Sequence, residues 1–334
     1  MSATIPCVTY TRNVFLPITN LCRNMCAYCG FRRSPGDGWW LMSQDEVMEF
    51  VRRGREAGCS EALITLGEMP EVYPEVRERL EEWGYRTVLD YIESLCRMIL
   101  REGLLPHVNA GVVGREQLAR LKRFSASMGL MLESIARLPA HEKSPGKDPA
   151  ARLEVIENAG RERIPFTTGL LVGIGETWDD RVRSVLAIRE IHERYGHIQE
   201  VIVQPFAPKP GTPMAGNPAP PGHELIHTVA MVRRLMPDVG VQVPPNLVDG
   251  IGGYLAAGVN DLGGISSVTP DFINPEKPWP ELDALVREVR SAGFSPRERL
   301  PVYPRFLLDG KYMSGEVRRV ALELADEEGY RRQR

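Results

Sequence analysis

Apolar residues along this chain fall into short blocks separated by longer amphipathic stretches. The blocks Val14–Thr19, Ala62–Leu66, His107–Asn109, Gly129–Leu132, Phe166–Val172, Glu200–Gln204, Val239–Val243 and Val259–Leu262 predict strands. Pro17 lies inside the first of them, an awkward position for a ladder residue. The stretches between read as helices. Ser43-Gln44-Asp45-Glu46 forms a capping box, and the helix it opens runs to about Gly58, a C′ glycine. Leu89, Ile92, Leu95, Cys96 and Ile99 make one stripe over 88–102. Helical patterns recur at 115–124, 150–159, 178–195, 223–236, 246–257 and 280–293. The Pro/Gly-rich stretch 205–222 predicts a loop rather than a domain linker.

About eight strand–helix units predict an α/β protein built as a (β/α)8 TIM-type barrel, with its chemistry in the loops after the strands. The expected domain is the whole chain, 1–334, as one barrel with short N-terminal and C-terminal extensions. A doubly wound open sheet is the alternative. No Gly-x-Gly-x-x-Gly follows the first strand, which counts against a dinucleotide-binding version.

Composition narrows the function classes. The balance of 41 Lys+Arg against 44 Asp+Glu gives net −3, so no global basic field suits nucleic acid. No apolar run reaches the roughly 18–20 residues of a membrane span. Met1–Tyr10 lacks the charged and apolar regions of a signal peptide, so a cytoplasmic protein is expected. In that reducing setting the six cysteines are free thiols or metal ligands.

Cys22, Cys26 and Cys29 form a C-x3-C-x2-C run directly after the first predicted strand. Three thiolates within eight residues wrap one face of a metal centre. A 4Fe–4S cube normally takes four Cys ligands, so three leave one iron open. A zinc knuckle, three buried thiols and ferredoxin-like electron transfer are the other readings of the run. Cys7, Cys59 and Cys96 are too scattered for a second cluster, and the six His residues form no H-E-x-x-H.

The run resembles the radical S-adenosylmethionine (SAM) superfamily, in which three Cys hold the cube and the open iron binds SAM. Tyr28 matches the aromatic residue before the third Cys. Leu66-Gly67-Glu68 resembles the segment that receives the amino group of SAM, and a charge-assisted bond to an ammonium is a sound use of Glu68. By the same resemblance Glu133 meets the ribose hydroxyls, and Gly173 and Gly175 belong to the adenine-side segment.

A closer resemblance spans 9–304. It rests on Thr9–Thr19, Thr65-Leu-Gly-Glu-Met-Pro70, Gly129-Leu-Met-Leu-Glu-Ser134 and Phe166–Thr177, then on Lys209-Pro-Gly-Thr-Pro-Met214, Val243-Pro-Pro-Asn-Leu247, Gly258–Gly264 and Leu300-Pro-Val-Tyr-Pro304. Together these resemble the 7,8-didemethyl-8-hydroxy-5-deazariboflavin synthase family, radical SAM subunit of the CofG type. The chain departs from the family pattern at Gly30, Pro205 and Leu262, where Thr, Asn and Trp are expected.

The family implies one 4Fe–4S cluster, SAM, and a lyase step in deazaflavin coenzyme (F420) biosynthesis. The 5′-deoxyadenosyl radical takes hydrogen from an adduct of a hydroxybenzyl group and 5-amino-6-ribitylaminouracil, and the adduct cyclises with loss of ammonia. The implied partners are the small-molecule substrate, a companion radical SAM subunit (CofH type) in transient contact or none, and a one-electron donor such as ferredoxin or flavodoxin. Asn260 and Asp261 are the first choice for substrate contact, then Lys209, with Gln204, Thr167, Thr168 and Asn246 near predicted strand ends. No catalytic base is assigned. The alternatives are the companion hydroxybenzyl transferase, acting on tyrosine, and a metal-binding sensor without turnover.

Overall fold

A computed structural model describes residues 6–333. Of the ten N-terminal residues read above for a signal peptide, 1–5 lie outside the described residues, and so does 334. The strands are β1 (Cys7–Pro17), β2 (Glu61–Thr65), β3 (Leu105–Asn109), β4 (Ser127–Gly129), β5 (Phe166–Val172), β6 (Ile198–Pro205), β7 (Gly240–Gln242), β8 (Asp261–Ile265) and β9 (Ser295–Glu298). The helices are α1 (Gln44–Glu56), α2 (Pro74–Glu82), α3 (Val88–Arg101), α4 (Arg115–Lys122), α5 (Pro149–Arg161), α6 (Trp178–Tyr195), α7 (Gly222–Leu235), α8 (Gly252–Ala257), α9 (Leu282–Ser291), α10 (Pro304–Asp309) and α11 (Gly315–Leu324).

Strands β1 to β8 run parallel and in sequence order, and pairing of β1 with both β8 and β2 closes them into the expected (β/α)8 barrel. Helices pack outside because each strand's outward face is aliphatic: Val14, Leu16, Ala62, Ile64, Val201 and Val203 are all fully buried. Among the described residues, no helix is long and apolar enough to cross a membrane.

Several elements differ from expectation. β1 begins at Cys7, because its first half pairs with β9 and β8 before its second half pairs with β2, and Pro17 is its last residue. β4 is Ser127–Gly129 rather than Gly129–Leu132; the following chain keeps to β5 through single bonds such as Leu130 N to Thr167 O (3.0 Å) and an isolated bridge between Glu133 and Leu170. The helix expected over 246–257 is a short 3-10 turn at Pro245–Leu247 followed by α8, with Gly250 at φ 66° between them. β8 starts at Asp261, two residues later than expected. Helix α2 escapes the hydrophobic pattern because only Val76 and Leu80 are buried on it. β9 has no aliphatic residue and owes its conformation to β1.

β9 leads into Arg299, which closes the entering end of the barrel. Its guanidinium donates to Asp261 (Nη2–Oδ1 2.8 Å) and to Glu200 (Nη2–Oε1 3.2 Å), all three being almost fully buried. Arg299→Leu is expected to destabilise the fold by about 3–5 kcal/mol, since it leaves buried carboxyls without their cation. Urea denaturation measures this; a loss under about 1 kcal/mol would refute the ion pair as a structural tie.

Candidate active site

The loop after β1 is held from below. Ile18 N donates to Thr65 O (2.8 Å) and Gly67 N donates to Thr19 O (2.8 Å), so the chain leaving β1 lies against the end of β2. At Gly67 a Cβ would overlap the Leu21 carbonyl oxygen and press on Cys22. Only glycine permits that approach.

Cys22, Cys26 and Cys29 then meet the mouth of one cavity of about 440 Å3. Cys22 Sγ accepts from the backbone N–H groups of Glu68 (3.2 Å) and Asn24 (3.4 Å), and Ser144 Oγ donates to Cys26 Sγ (3.3 Å). Burial raises both thiols above their ordinary values; the N–H bonds to Cys22, and Lys147 near Cys26, oppose it. Among the described residues, no three Cys, His, Asp or Glu side chains are grouped around a point that suits one metal ion. A cube offers a different iron to each thiolate, so its ligands need not converge. Three thiols and N–H donors aimed at sulfur are a donor set that fits an iron–sulfur cube with one corner free.

Two carboxylates flank this mouth. Glu68 pairs with Arg23 (Oε1–Nη2 2.8 Å) and accepts from Val112 N (3.2 Å), while Arg152 stands 4.0 Å away. A Cβ at Gly146 would overlap the Glu68 carboxylate, so the 145–147 turn closes directly over it. Glu133, at φ 66°, bonds the Tyr28 hydroxyl, Lys147 and His141 Nε2 (3.0 Å). Burial alone would raise its carboxyl, but Lys147, then His141 and Arg152, hold it well below the usual range. Lys147 and Arg152 were missed in the sequence. The Ser144-Pro145-Gly146-Lys147 turn ahead of the Asp148-capped helix α5 was the available signal.

The other expected residues divide. Gln204 lines the cavity, as do Thr167 and Asn246. Thr168 faces away from it and accepts from Leu132 N (3.3 Å), because strand residues alternate and Thr167 takes the inner face. Lys209 does not line the cavity; it bonds Asn274 (2.8 Å) and Glu276 (2.9 Å), and its stem occupies the space that the missing side chain of Gly30 leaves. Gly173 and Gly175 do not reach it either. They allow a turn, at φ 99° and 107°, in which Gly173 N and Ile174 N donate to Glu176 (both 2.8 Å).

The expectation for Asn260 and Asp261 is corrected. Since β8 starts at Asp261, both sit at the entering end of the barrel, opposite the cysteines. Asn260 Oδ1 accepts from Arg233 (2.6 Å) and Val241 N (2.8 Å), and Asp261 is consumed by Arg299, Thr9 and Gly263 N. The barrel floor is otherwise acidic. Burial pushes Glu61 up to about 7 against the pull of Arg299, and burial with the Asp261 charge pushes Glu200 up to about 8. Arg299 holds Asp261 low, and burial pushes His107 down to about 4.

Residues 16–188 match the radical SAM superfamily. A 7,8-didemethyl-8-hydroxy-5-deazariboflavin synthase from Methanopyrus kandleri is 49% identical over 334 residues, covering 97% of this chain and 100% of the relative. The chain belongs to the radical SAM superfamily and, within it, to this synthase family. An Archaeoglobus fulgidus synthase is likewise 49% identical, over 97% of this chain and 99% of its own. Among solved structures, the FeFe-hydrogenase maturase HydG from Carboxydothermus hydrogenoformans overlays with a TM-score of 0.69 at 20% identity, covering 94% of this chain and 76% of that one. Methylornithine synthase (PylB) gives 0.64 at 19%, over 87% and 83%. These two likenesses concern the fold. Radical SAM proteins work with a 4Fe–4S cluster and SAM.

Two outcomes follow from the geometry. Gly67→Ala is expected to keep the fold but cut iron loading several-fold, because the cysteine loop must back away from β2; iron and sulfide analysis beside circular dichroism checks this, and full loading would refute it. Glu61 is protonated more readily in the folded chain, so its contribution is complete below about pH 4.5 and is lost as the pH rises through about 7. Relative to Glu61→Gln, the wild type is therefore expected to lose on the order of 3 kcal/mol across that window and nothing further above it. Denaturation at a series of pH values reads this, and a constant difference would contradict it.

Proposed function

We propose that this chain is a 7,8-didemethyl-8-hydroxy-5-deazariboflavin synthase, a radical SAM lyase of deazaflavin coenzyme biosynthesis. What carries the reading is identity near one half to such synthases over almost the whole chain, in a protein whose three Cys-x3-Cys-x2-Cys thiols open onto one cavity. The substrate is the hydroxybenzyl adduct 5-amino-5-(4-hydroxybenzyl)-6-(D-ribitylimino)-5,6-dihydrouracil. It gives up a hydrogen atom and one further electron, closes its third ring, and releases ammonium and a proton. The whole chain acts as one barrel domain with short extensions.

Cys22, Cys26 and Cys29 are the ligands proposed for a single 4Fe–4S cluster. That cluster and SAM, when bound, supply the two oxidising equivalents, SAM ending as methionine and 5′-deoxyadenosine. Gly67 and Glu68 offer a carbonyl and a carboxylate to an ammonium group, and Arg152 and Lys147 offer the positive charge that a carboxylate needs in a dry site. Tyr28 and Glu133 stand ready for hydroxyls, with Lys147 and His141 giving way to them. The cavity wall of Phe15, Leu63, Leu130 and Ile202 excludes water from the reacting carbon.

The reading requires a companion radical SAM subunit (CofH type) that makes the adduct, in transient contact or none, and a one-electron donor such as ferredoxin or flavodoxin. A reducing cytoplasm suits three thiols that must stay reduced to take up iron. An anaerobic assay with dithionite, SAM, 5-amino-6-ribitylaminouracil and tyrosine tests it. Deazaflavin fluorescence is expected only when the companion or its isolated adduct is added. Adduct formation from free tyrosine by this protein alone would make it the companion instead. Cys22→Ala is expected to drop both cluster absorbance and 5′-deoxyadenosine release to background; retention of both would overturn the ligand assignment.

A further inference from the structure

TIM-type barrels usually fill their interior with layers of branched aliphatic side chains. This barrel does not. The cavity that opens at the cysteines continues down between the strands past Gln204, Gln242 and Asn109 and ends at Glu61 and Thr11. Gln204 and Gln242 make no side-chain hydrogen bond among the described residues, and Asn109 spends only its Oδ1, on His107 Nε2 (3.2 Å). At the floor, Thr11 Oγ1 and Glu61 Oε2 face each other without completing a hydrogen bond, although both residues are at least nine-tenths buried. A buried polar group without a partner costs about 1–3 kcal/mol, which makes Thr11 and Glu61 open to a ligand, and the carboxamides above them line the same cavity with donors and acceptors unspent.

The slot is built by glycines. A Cβ at Gly129 would overlap Asn109 Oδ1, and a Cβ at Gly263 would overlap the Gln242 carboxamide. Gly263 adopts φ 70°, which suits glycine. Gly264 makes the same allowance for Asn13. The Asn260-Asp261-Leu262-Gly263-Gly264 segment therefore serves the cavity through its glycines, not through the Asn-Asp pair.

The order of the open groups decides what fits. Ile202 pairs with Gln242, and Gln204 lies two residues further along β6. Thr65 pairs with Asn109, and Glu61 lies four residues back along β2, about 13 Å at the rise of a strand. Polar groups at successive heights of a narrow shaft match a chain that carries a hydroxyl on each carbon. A flat heterocycle would need its donors and acceptors in one plane, and an eight-stranded barrel has room at this depth for little more than side chains.

We propose that the barrel interior is a polyol subsite, running from the carboxamides of Asn109 and Gln204 at the exit ends of β3 and β6 past Gln242 toward Thr11 and Glu61, and that it takes the ribityl chain of the substrate. This rests on the deazaflavin reading above and adds the direction in which the substrate lies: ring system at the mouth, tail toward Arg299.

The test uses the reconstituted protein with SAM and two pigments, the fluorescent deazaflavin product and its analogue with methyl in place of ribityl. Fluorescence titration is expected to show the wild type binding the ribityl pigment at least about 10-fold more tightly, and Gln242→Met and Asn109→Leu each weakening it about 5–10-fold while shifting the methyl pigment less than about 2-fold. Equal affinity of the wild type for both pigments would overturn the subsite and leave the deazaflavin reading standing. Equal losses for both pigments in the variants would overturn it too. Binding of neither pigment by the wild type would sink the deazaflavin reading and the subsite together. The wild-type comparison stands even if a variant fails to fold.

Discussion

The pairing of β1 with β2 decides where everything else in the site lies. Its register runs from Asn13 opposite Glu61 to Pro17 opposite Thr65. Beyond the last pair the two chains stay in contact, through Gly67 N to Thr19 O, Arg23 N to Glu68 O (3.0 Å) and Glu68 N to Cys22 Sγ. A slip of β1 by one residue would send Phe15 outward and Leu16 into the cavity while β2 kept its facing. It would also part the first cysteine from Gly67 and Glu68. The barrel is thus the device that brings a loop with little regular structure against two residues 45 and 46 positions downstream of Cys22. The missing Cβ of Gly67 sets how close they come.

Charge is the second constraint, and it acts at the opposite end. One guanidinium, Arg299, faces Glu200 and Asp261 inside the barrel, with Glu61 nearby. Coulomb attraction in so dry a space favours ionised Asp261, and burial then keeps Glu61 and Glu200 protonated into the neutral range. A floor of neutral acids, hydroxyl and carboxamides donates and accepts without imposing a net field on the chemistry above. The mouth has the reverse character: Arg23 and Arg152 stand around Glu68, and Lys147, then His141 and Arg152, keep Glu133 ionised.

Much of the fold was legible because parallel strands buried on both faces write themselves as apolar blocks, and Phe166–Val172 was found to the residue. What escaped was polar. β9 and α2 take their conformation from partners distant in sequence, which no local pattern records. The cysteine triad was legible because its three residues are local in sequence, and Glu68 and Glu133 because they follow β2 and β4 within a few residues; all five line the cavity. Lys147, Arg152, Gln242 and Arg299 reach the cavity only through tertiary packing.

The misreading of Asn260 and Asp261 is instructive in physical terms. In a barrel whose strands span only three to eleven residues, a two-residue error in where a strand begins moves a side chain from one end of the molecule to the other. Asn260 and Asp261 fall inside the strand expected over 259–262 and were chosen for substrate contact as residues near its end, whereas β8 only begins at Asp261. Their real work is to tie β8 to β7 and to Arg299, which fixes the height of Gly263 against Gln242. The segment thus contributes to recognition by holding a gap open. A family pattern marks such a segment without saying whether its side chains or its missing side chains matter, and here the distinction rests on the Cβ that Gly263 lacks.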